Sequence, residues 1–252
     1  MPSVVQKVLS IPAVVEDVSF EEIDGREVLV VDVRAYARAR SRCAECGRRC
    51  PGYDQAPTAR RWRHLDVAGR QCVLRASLRR VRCEEHGVVT EAVPWARART
   101  RFTRAFDDMV AWLAAHSTIS AVAEFTRVAW RTVSAIVERV VDEHFAGVDR
   151  LEGLVNIGID EIAYRKGHRY LTVVINHDTG LVVWAAEGRD SATVRRFFDA
   201  LGPERTACIE KVSADGAEWI WSVITEQAPE AVQCLDMFHM IQWAGSMVDK
   251  VR

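Results

Sequence analysis

Two short pairs of metal-ligand residues lie in the first half of the sequence. Cys43 and Cys46 are separated by two residues, and so are Cys83 and His86. This spacing allows each pair to offer two ligands to one tetrahedral zinc ion. Because four protein ligands leave no position open for a substrate, the pattern predicts a structural zinc that stabilises a small module.

Three other residues near these pairs bear on the ligand set. Cys50 and His64 are alternative ligands, whereas Cys72 lies in an apolar stretch and is expected to be a buried thiol. The N-terminus lacks a signal-peptide pattern, and no apolar run reaches the roughly 18–20 residues that span a bilayer. We therefore expect a cytoplasmic protein without a membrane partner, whose seven cysteines are metal ligands or buried thiols rather than disulfides.

Two carboxylates end strand-like stretches in the second half of the sequence. Asp160 follows Ile157-Gly158-Ile159, and Asp215 follows Lys211-Val212-Ser213-Ala214. Strand alternation allows only one of Asp160 and Glu161 to face a given site. Two such carboxylates side by side can hold magnesium or manganese ions about 3.5–4 Å apart, an arrangement that cuts and joins phosphodiesters. Strand-end acids are also common in nucleotide-binding α/β proteins, so the spacing alone leaves both interpretations open.

Arginines are concentrated in the region that holds the cysteine pairs. The net charge is only −1, yet residues 34–104 contain 18 arginines, no lysine and six acidic residues. Codon bias would explain arginine over lysine, but it does not explain the clustering. Such a block favours a polyanion through phosphate neutralisation and counterion release, which predicts double-stranded DNA as the partner. The arginines expected to be held on one surface by the zinc module and to face DNA are Arg60, Arg61, Arg63, Arg79, Arg80 and Arg82.

The elements that must position these residues change along the chain. A small β module is predicted from four strand-like stretches, of which the first two flank an Asp-Gly turn. The four stretches are Val14–Phe20, Glu27–Val33, Trp62–Val67 and Gln71–Arg82. From Phe106 to Phe145, apolar residues such as Met109, Trp112 and Leu113 recur at spacings of three and four, which predicts three helices.

Within the helical region, the pattern is that of a helix-turn-helix. Ile119–Phe125 predicts a short helix, Thr126–Val128 a tight link and Ala129–Ser134 the start of a second helix. In this motif the second helix enters the major groove, and its first polar residues meet bases or phosphates. Those residues are Trp130, Arg131, Thr132 and Ser134. In the alternative, a plain helical hairpin, Trp130 would lie in the core.

After Gly147, strand-like and helical stretches follow in the order β-β-β-α-β-α-β. They are Leu154–Asp160, Tyr170–Asn176, Leu181–Glu187, Ser191–Leu201, Cys208–Ala214, Ala217–Gln227 and Ala231–Leu235. This is the order of a ribonuclease-H-like fold, in which the strand ends that carry Asp160 and Asp215 lie side by side. The predicted fold is therefore multidomain α+β: a zinc-binding β module with the N-terminal hairpin (1–104), a helix-turn-helix segment (105–148) and an incomplete ribonuclease-H-like α/β domain (149–252).

From Cys43 to the C-terminus, the sequence resembles the DDE transposases of bacterial insertion sequences, in the branch called ISL-three. The pieces that carry the resemblance are the two zinc-ligand pairs, the helix-turn-helix at Ile119–Val141, Gly158–Glu161, Arg165–His168, Ser213–Gly216 and Leu235–His239. The resemblance implies a nucleoid-associated transposase that binds terminal inverted repeats as a homo-oligomer and cuts and joins DNA strands with divalent metal. Asp160 and Asp215 match the first two catalytic acids, and Lys166 and His168 are expected to contact DNA.

The sequence departs from the family pattern at its end. Family members supply a catalytic Glu from a helix beyond the Asp236–His239 motif, whereas this sequence ends at Arg252. Glu226 and Glu230 come too early to match that acid, and Asp236 falls on the fifth strand. We expect a chain truncated before its third acid, so two hypotheses follow: a transposase, or an inactive truncated form that only binds DNA or acts as a repressor. A zinc-bearing ribonuclease or resolvase is a third interpretation, but it does not account for the helix-turn-helix.

Overall fold

The computed structural model describes residues 4–165 and 167–251 of the chain. The backbone divides into two compact units, residues 1–146 and 147–252. Lys166, which was expected to contact DNA, lies outside the described residues. Within the described part of the chain, every helix is too short or too polar to cross a membrane.

The first unit begins with a four-stranded sheet. Helix α1 (Val4–Leu9) precedes strands β1 (Ala13–Ile23), β2 (Arg26–Ala35), β4 (Arg60–Val67) and β5 (Arg70–Ala76), which lie in the order β1-β2-β5-β4. The hairpin of β1 and β2 is antiparallel and turns through Asp24 and Gly25, both at positive φ, so the predicted hairpin is confirmed. Strands β2 and β5 pair in parallel. Apolar residues of this sheet, Trp62 and Leu74 among them, form its core.

A second, three-stranded sheet holds the cysteine pairs. Its antiparallel strands are β3 (Gly52–Gln55), β6 (Arg79–Cys83) and β7 (Gly87–Thr90), in the order β3-β6-β7, and a 3-10 turn at Ala37–Ala39 precedes them. The single strand predicted at Gln71–Arg82 is therefore wrong, because the chain leaves one sheet after Ala76 and enters the other at Arg79. Leu78 is buried in the core of the first sheet and fixes this crossing.

Three helices complete the first unit, as predicted. They are α2 (Arg104–His116), α3 (Ile119–Thr126) and α4 (Trp130–His144), and their shared core contains Phe106, Val110, Val122, Val133 and Ile136. The hydroxyls of Thr103 and Thr118 cap α2 and α3 by accepting from backbone N–H groups. Trp112, which was predicted on the apolar face of α2, is exposed and stacks on His116 instead.

The second unit is a five-stranded sheet with helices. Its elements are β8 (Asn156–Arg165), β9 (Arg169–Asn176), β10 (Leu181–Glu187), α5 (Ser191–Leu201), α6 (Pro203–Thr206), β11 (Lys211–Ala214), α7 (Glu218–Gln227), β12 (Val232–Leu235) and α8 (Met237–Val251). The strand order is β10-β9-β8-β11-β12; β10, β9 and β8 are antiparallel neighbours, whereas β11 runs parallel to both β8 and β12. The predicted order of elements is confirmed, with the short helix α6 added after α5 and α8 after β12, and the sheet has the arrangement expected of a ribonuclease-H-like domain.

One face of this sheet is covered by helices. Ile157, Ile159, Val212 and Ala214 pack with α5 and α7 in a buried apolar core. Because side chains alternate across a strand, Gly158, Asp160 and Ser213 belong to the opposite face. Burial of one face thus fixes which residues of β8 and β11 are available for chemistry.

Candidate functional site

The two predicted metal-ligand pairs come together in the three-stranded sheet. Among the described residues, Cys43, Cys46, Cys83 and His86 form the one group of three or more metal-ligating residues whose ligand atoms lie within 4.8 Å of one another. The Nδ1 atom of His86 lies 3.5 Å from the Sγ atom of Cys83 and 3.7 Å from that of Cys43, and the sulfurs of Cys46 and Cys83 are 3.8 Å apart. Zinc–sulfur bonds of about 2.3 Å in a tetrahedron place sulfurs about 3.8 Å apart. The four residues therefore fit one tetrahedral metal ion.

Local turns position these ligands. The backbone N–H of Glu45 donates to the sulfur of Cys43 over 3.4 Å, and Gly47, at positive φ, closes the first turn by donating to the carbonyl of Cys43. The hydrogen bond with His86 lowers the pKa of Cys83 to about 6. Because metals bind the thiolate, this shift favours the ligand form of Cys83.

The alternative ligands occupy other environments. The sulfur of Cys50 lies in the same small core as the cluster but outside the group of four, and burial raises its thiol pKa. His64 is buried elsewhere, between the hydroxyl of Thr103 at 2.9 Å and the carbonyl of Leu9 at 3.1 Å. Cys72 is buried in the four-stranded sheet, where desolvation raises its pKa to about 11, as expected of a structural thiol.

The predicted DNA-facing arginines divide between two sheets rather than forming one row. Arg60, Arg61 and Arg63 lie on β4, and Arg79, Arg80 and Arg82 lie on β6. Arg61 is exposed and pairs with Glu21, Arg80 pairs with Asp54, and Arg79 and Arg82 are exposed. The guanidinium groups of Arg80 and Arg82 both lie over the ring of Tyr53.

Arg63 differs from the other five arginines. Only 12% of its side chain is exposed, and it pairs with Asp66 while its guanidinium lies 5.4 Å from the ring centre of Phe106. Burial and the nearby charge of Arg127 lower the pKa of Arg63 to about 10. Arg63 therefore joins β4 to α2 inside the unit, and the expectation that it faces DNA is corrected to a structural role.

The helix-turn-helix exposes the start of its second helix. Helix α3 ends at Arg127 in the left-handed conformation, and α4 begins at Trp130. Trp130 is 55% exposed, so the alternative that placed it in the helical core is wrong. Arg131 is also exposed, whereas Thr132 and Ser134 are half-buried.

A buried carboxylate links the helices to the segment that precedes them. Asp107 on α2 is fully buried and accepts hydrogen bonds from Arg139 on α4 at 3.1 Å and from Arg97 at 3.5 Å. Arg97 also contacts Asp108 and Glu143. This network fixes α4 against α2, and nothing in the residue spacing distinguished Asp107 from its exposed neighbour Asp108.

The two predicted carboxylates, Asp160 and Asp215, lie opposite each other on neighbouring parallel strands. Ile159 of β8 pairs with Ala214 of β11, and Asp160 and Asp215 are the next residues. Asp160 is not at a strand end as predicted, because β8 continues to Arg165 as part of the hairpin with β9. Neighbouring strands are roughly 4.8 Å apart, so the two residues are one strand spacing apart. The Asp160 carboxylate accepts from the N–H of Glu161, and that of Asp215 accepts from the N–H of Ala217.

Asp236 extends the same row. It follows Leu235, which pairs with Ala214 from the other side, and its backbone N–H donates to the carbonyl of Ala214 at 3.0 Å. Asp160, Asp215 and Asp236, here called the carboxylate row, therefore stand on three adjacent parallel strands. Among the described residues, these three carboxylates do not form a group whose ligand atoms all lie within 4.8 Å of one another.

Behind the carboxylate row, a histidine lies against Gly158. The Nε2 atom of His177 is 2.7 Å from the hydroxyl of Ser213. A Cβ atom on residue 158 would lie 2.8 Å from that Nε2 and 3.0 Å from both Ile175 Cγ1 and Ser213 Oγ. Glycine is thus required by close packing, a role that the sequence pattern did not reveal.

The hairpin that joins β8 and β9 carries the remaining predicted residue. His168 is exposed at positive φ, near the end of the hairpin. Together with Tyr164, Arg169 and Tyr170 it lines a cleft that also includes residues 187–189.

Three family models match the chain, in the order of its structural elements. Residues 39–86 match the zinc-finger of transposase IS204/IS1001/IS1096/IS1165, residues 91–141 match the helix-turn-helix domain of transposase family ISL3, and residues 157–252 match the transposase model of the same family. The cysteine cluster and the carboxylate row fall inside their respective matches, and the helix-turn-helix match covers α2, α3 and α4 as far as Val141.

Two curated relatives align along nearly the whole chain. The transposase for insertion sequence element IS1557 of Mycobacterium tuberculosis is 48% identical over 241 residues, which cover 95% of this chain and 54% of the relative. The transposase for insertion sequence element IS1001 of Bordetella parapertussis is 30% identical over 240 residues, which cover 94% of this chain and 58% of the relative. The chain thus spans little more than half the length of these relatives. With three matching models of one family in the expected order, the chain belongs to the ISL3 family of insertion-sequence transposases.

Proposed function

We propose that this chain recognises the terminal inverted repeats of an insertion sequence and takes part in metal-dependent cutting and joining of DNA strands. The observation that carries the proposal is the common register step of Asp160 and Asp215 on adjacent parallel strands. We assign residues 1–104 to a zinc module, 105–148 to DNA recognition and 149–252 to catalysis. Since the substrate is chromosomal DNA, we place the protein at the nucleoid in the cytoplasm.

We assign a structural zinc ion to Cys43, Cys46, Cys83 and His86. Three of the ligand separations are 3.5–3.8 Å and all four ligand atoms lie within 4.8 Å of one another, which supports one tetrahedral ion. The ion would tie the turn after Cys43 to the β6–β7 hairpin and so keep the exposed Arg79 and Arg82 on a folded surface. Their role is to neutralise backbone phosphates, which contributes affinity without sequence preference.

Sequence recognition is assigned to the start of α4. Arg131 is exposed there, and its guanidinium can donate two hydrogen bonds to a guanine edge in the major groove. Trp130 offers an apolar surface beside it, while Thr132 and Ser134 can donate to phosphates. Because the two ends of an element present the same repeat, a symmetric homo-oligomer is the assembly that suits this substrate.

Asp160 and Asp215 are assigned as the ligands of magnesium or manganese. The bound ions would activate the attacking oxygen and stabilise the leaving oxygen of a phosphodiester. The protein's own contribution is to hold the two carboxylates one strand spacing apart, each oriented by a backbone N–H donor. His168, in the hairpin of β8 and β9, and Lys166, two residues before it in the sequence, are assigned to DNA contact.

The DNA-binding part is tested by selecting bound sequences from a randomised duplex pool. Fluorescence anisotropy of the selected duplex then compares the wild type with Arg131→Ala and with the control Arg195→Ala, an exposed arginine of the second unit. We expect Arg131→Ala to weaken binding about tenfold and to relax the selected sequence, and affinity to fall steeply with salt. Equal binding by both variants would contradict the recognition role of α4.

The catalytic part is tested on the same duplex with magnesium or manganese. Cleavage that disappears in both Asp160→Asn and Asp215→Asn supports the assignment of these residues, and cleavage that persists in both contradicts it. Sequence-specific binding without any cleavage would favour the second hypothesis, a DNA-binding protein or repressor that does not catalyse strand transfer.

A further inference from the structure

A cleft of about 670 Å³ lies beside the hairpin of β8 and β9, away from the carboxylate row. Tyr164, Arg169 and Tyr170 line it from the hairpin, and Glu187 and Arg189 line it from the end of β10. The cleft is shallow and open to solvent, so a ligand would lie along its surface rather than be enclosed. Its lining combines cations, aromatic rings and one carboxylate, a mixture that suits a ligand with both an anionic group and a planar ring.

Arg189 is the cation best placed to receive an anion. Its guanidinium lies 4.9 Å from the ring centre of Tyr170, and its Nε atom is 3.7 Å from the carboxylate of Glu161, the residue next to Asp160. These two contacts orient the side chain, which is still 45% exposed. Among the described residues, no acceptor lies within hydrogen-bonding distance of its two terminal nitrogens, so both can donate to a ligand.

Two other arginines of the second unit, Arg195 and Arg205, differ in this respect. Arg195 and Arg205 form ion pairs with Glu226 and Asp149 at 2.6 and 2.7 Å. An arginine already paired at that distance must break the pair before it binds a new anion, whereas Arg189 is held mainly by an aromatic ring. Exposure is nearly the same for Arg189 and Arg195, which makes Arg195 a matched control.

The aromatic part of the cleft supplies ring surface and an acceptor. The hydroxyl of Tyr164 donates to the carboxylate of Glu187 at 2.6 Å, so that carboxylate is fixed at the cleft wall. A fixed carboxylate can accept from the amino group of a base. Tyrosine rings and guanidinium planes are the surfaces on which proteins stack unpaired bases.

We propose that this cleft binds one unpaired nucleotide of DNA, with its phosphate on Arg189 and Arg169 and its base against the tyrosines. A base inside a duplex has both faces covered by its neighbours, so only an unpaired nucleotide can use such a surface. Tyr164 is four residues beyond Asp160 on β8, roughly 13 Å along the strand. The cleft would thus hold a nucleotide of the strand whose phosphate lies at Asp160, an inference that rests on the proposed function.

The test uses a single-stranded oligonucleotide with one 2-aminopurine base, whose fluorescence is quenched when it stacks. We expect quenching by the full chain, about tenfold weaker binding by Arg189→Ala, partial recovery in Arg189→Lys and no change in Arg195→Ala. Tyr170→Ala should remove the quenching, with Tyr170→Phe as the conservative variant that keeps it. Since Arg189 is exposed, Arg189→Ala decides the outcome if Tyr170→Ala does not fold.

Three outcomes would overturn the proposal. One is the absence of quenching by the wild type, and another is equal quenching by Arg189→Ala and Arg195→Ala. An unlabelled duplex of the same length that competes as well as the single strand would also overturn it. Failure of the proposed function is distinguishable, because Arg131→Ala tests duplex recognition in the other unit and should leave quenching of the single strand unchanged.

Discussion

The cysteine cluster and the carboxylate row are built in opposite ways. Four ligand atoms of the cluster lie within 4.8 Å of one another, and each pair is positioned by a short turn. The row instead takes Asp160, Asp215 and Asp236 from three neighbouring strands whose backbones are in regular register, and its three carboxylates do not form a group with ligand atoms within 4.8 Å of one another. A site made from local turns carries its own geometry, whereas a site made from neighbouring strands depends on the sheet that aligns them.

The largest effect should follow from breaking the cluster. Cys43→Ser is expected to reduce bound zinc from about one equivalent to none, and the three-stranded sheet should lose its cooperative unfolding transition because its core is too small to fold without the ion. Metal analysis and calorimetry of the purified protein measure both. Cys208→Ser is the control, since Cys208 is exposed in the second unit. A zinc-free wild type with an unchanged transition would contradict the assignment.

The next effect concerns Asp107, a fully buried carboxylate of the first unit. Asp107→Ala should lower the free energy of unfolding by about 3 kcal/mol, because it leaves Arg139 and Arg97 without their buried partner. Asp108→Ala, on the exposed side of the same helix, should cost less than about 1 kcal/mol. Urea unfolding of both variants gives the comparison, and equal losses would show that the burial of Asp107 has no energetic consequence.

A smaller loss of stability is expected from a change at Gly158, which is closely packed against its neighbours behind the carboxylate row. Gly158→Ala should destabilise the second unit by about 1–3 kcal/mol, since its Cβ would meet His177, Ile175 and Ser213 at 2.8–3.0 Å. Adding His177→Ala should restore part of this loss. Gly245→Ala on α8, where no described atom outside the backbone of the helix lies within 4 Å of the added Cβ, should be neutral or slightly stabilising. Unfolding followed by tryptophan fluorescence distinguishes these variants; a wild-type stability for Gly158→Ala would refute the packing argument.

The smallest effect should come from the carboxylates themselves. Asp160→Asn is expected to leave the stability nearly unchanged without metal, and to abolish the increase that magnesium gives the wild type. That increase is about 1.4 kcal/mol at a magnesium concentration ten times the dissociation constant. Thermal unfolding with and without magnesium is the measurement. If Asp160→Asn gained as much from magnesium as the wild type, Asp160 would not be a metal ligand.

The same contrast explains what the sequence could predict. The ligand pairs and the helix-turn-helix follow from spacings of two to four residues, and the structure brings the four zinc ligands together. The order of strands and helices in the second unit was also predictable, because alternation and turn residues are local signals. The bounds of β10 and α5 match their predicted stretches residue for residue.

Features that depend on contacts between distant residues were not predictable. The break between β5 and β6 at Ser77 and Leu78 requires knowledge of two separate cores. The spacing of Trp112 suited a buried face, yet Phe106 and Val110 fill that core instead. Arg63 shares its residue type with its exposed neighbours, and only the position of Asp66 and Phe106 explains its burial.

His64 has a consequence for how the first unit can be divided. Its ring bridges the carbonyl of Leu9 and the hydroxyl of Thr103, and that same hydroxyl caps α2. A fragment that starts at Thr103 would keep the hydroxyl that caps α2 but would lose His64, the buried partner of that hydroxyl. The recognition helices should therefore unfold together with the four-stranded sheet rather than as an autonomous domain, and proteases should find no early cleavage point between Phe102 and Arg104. Excising the helices as a minimal DNA-binding peptide would remove part of what holds them folded.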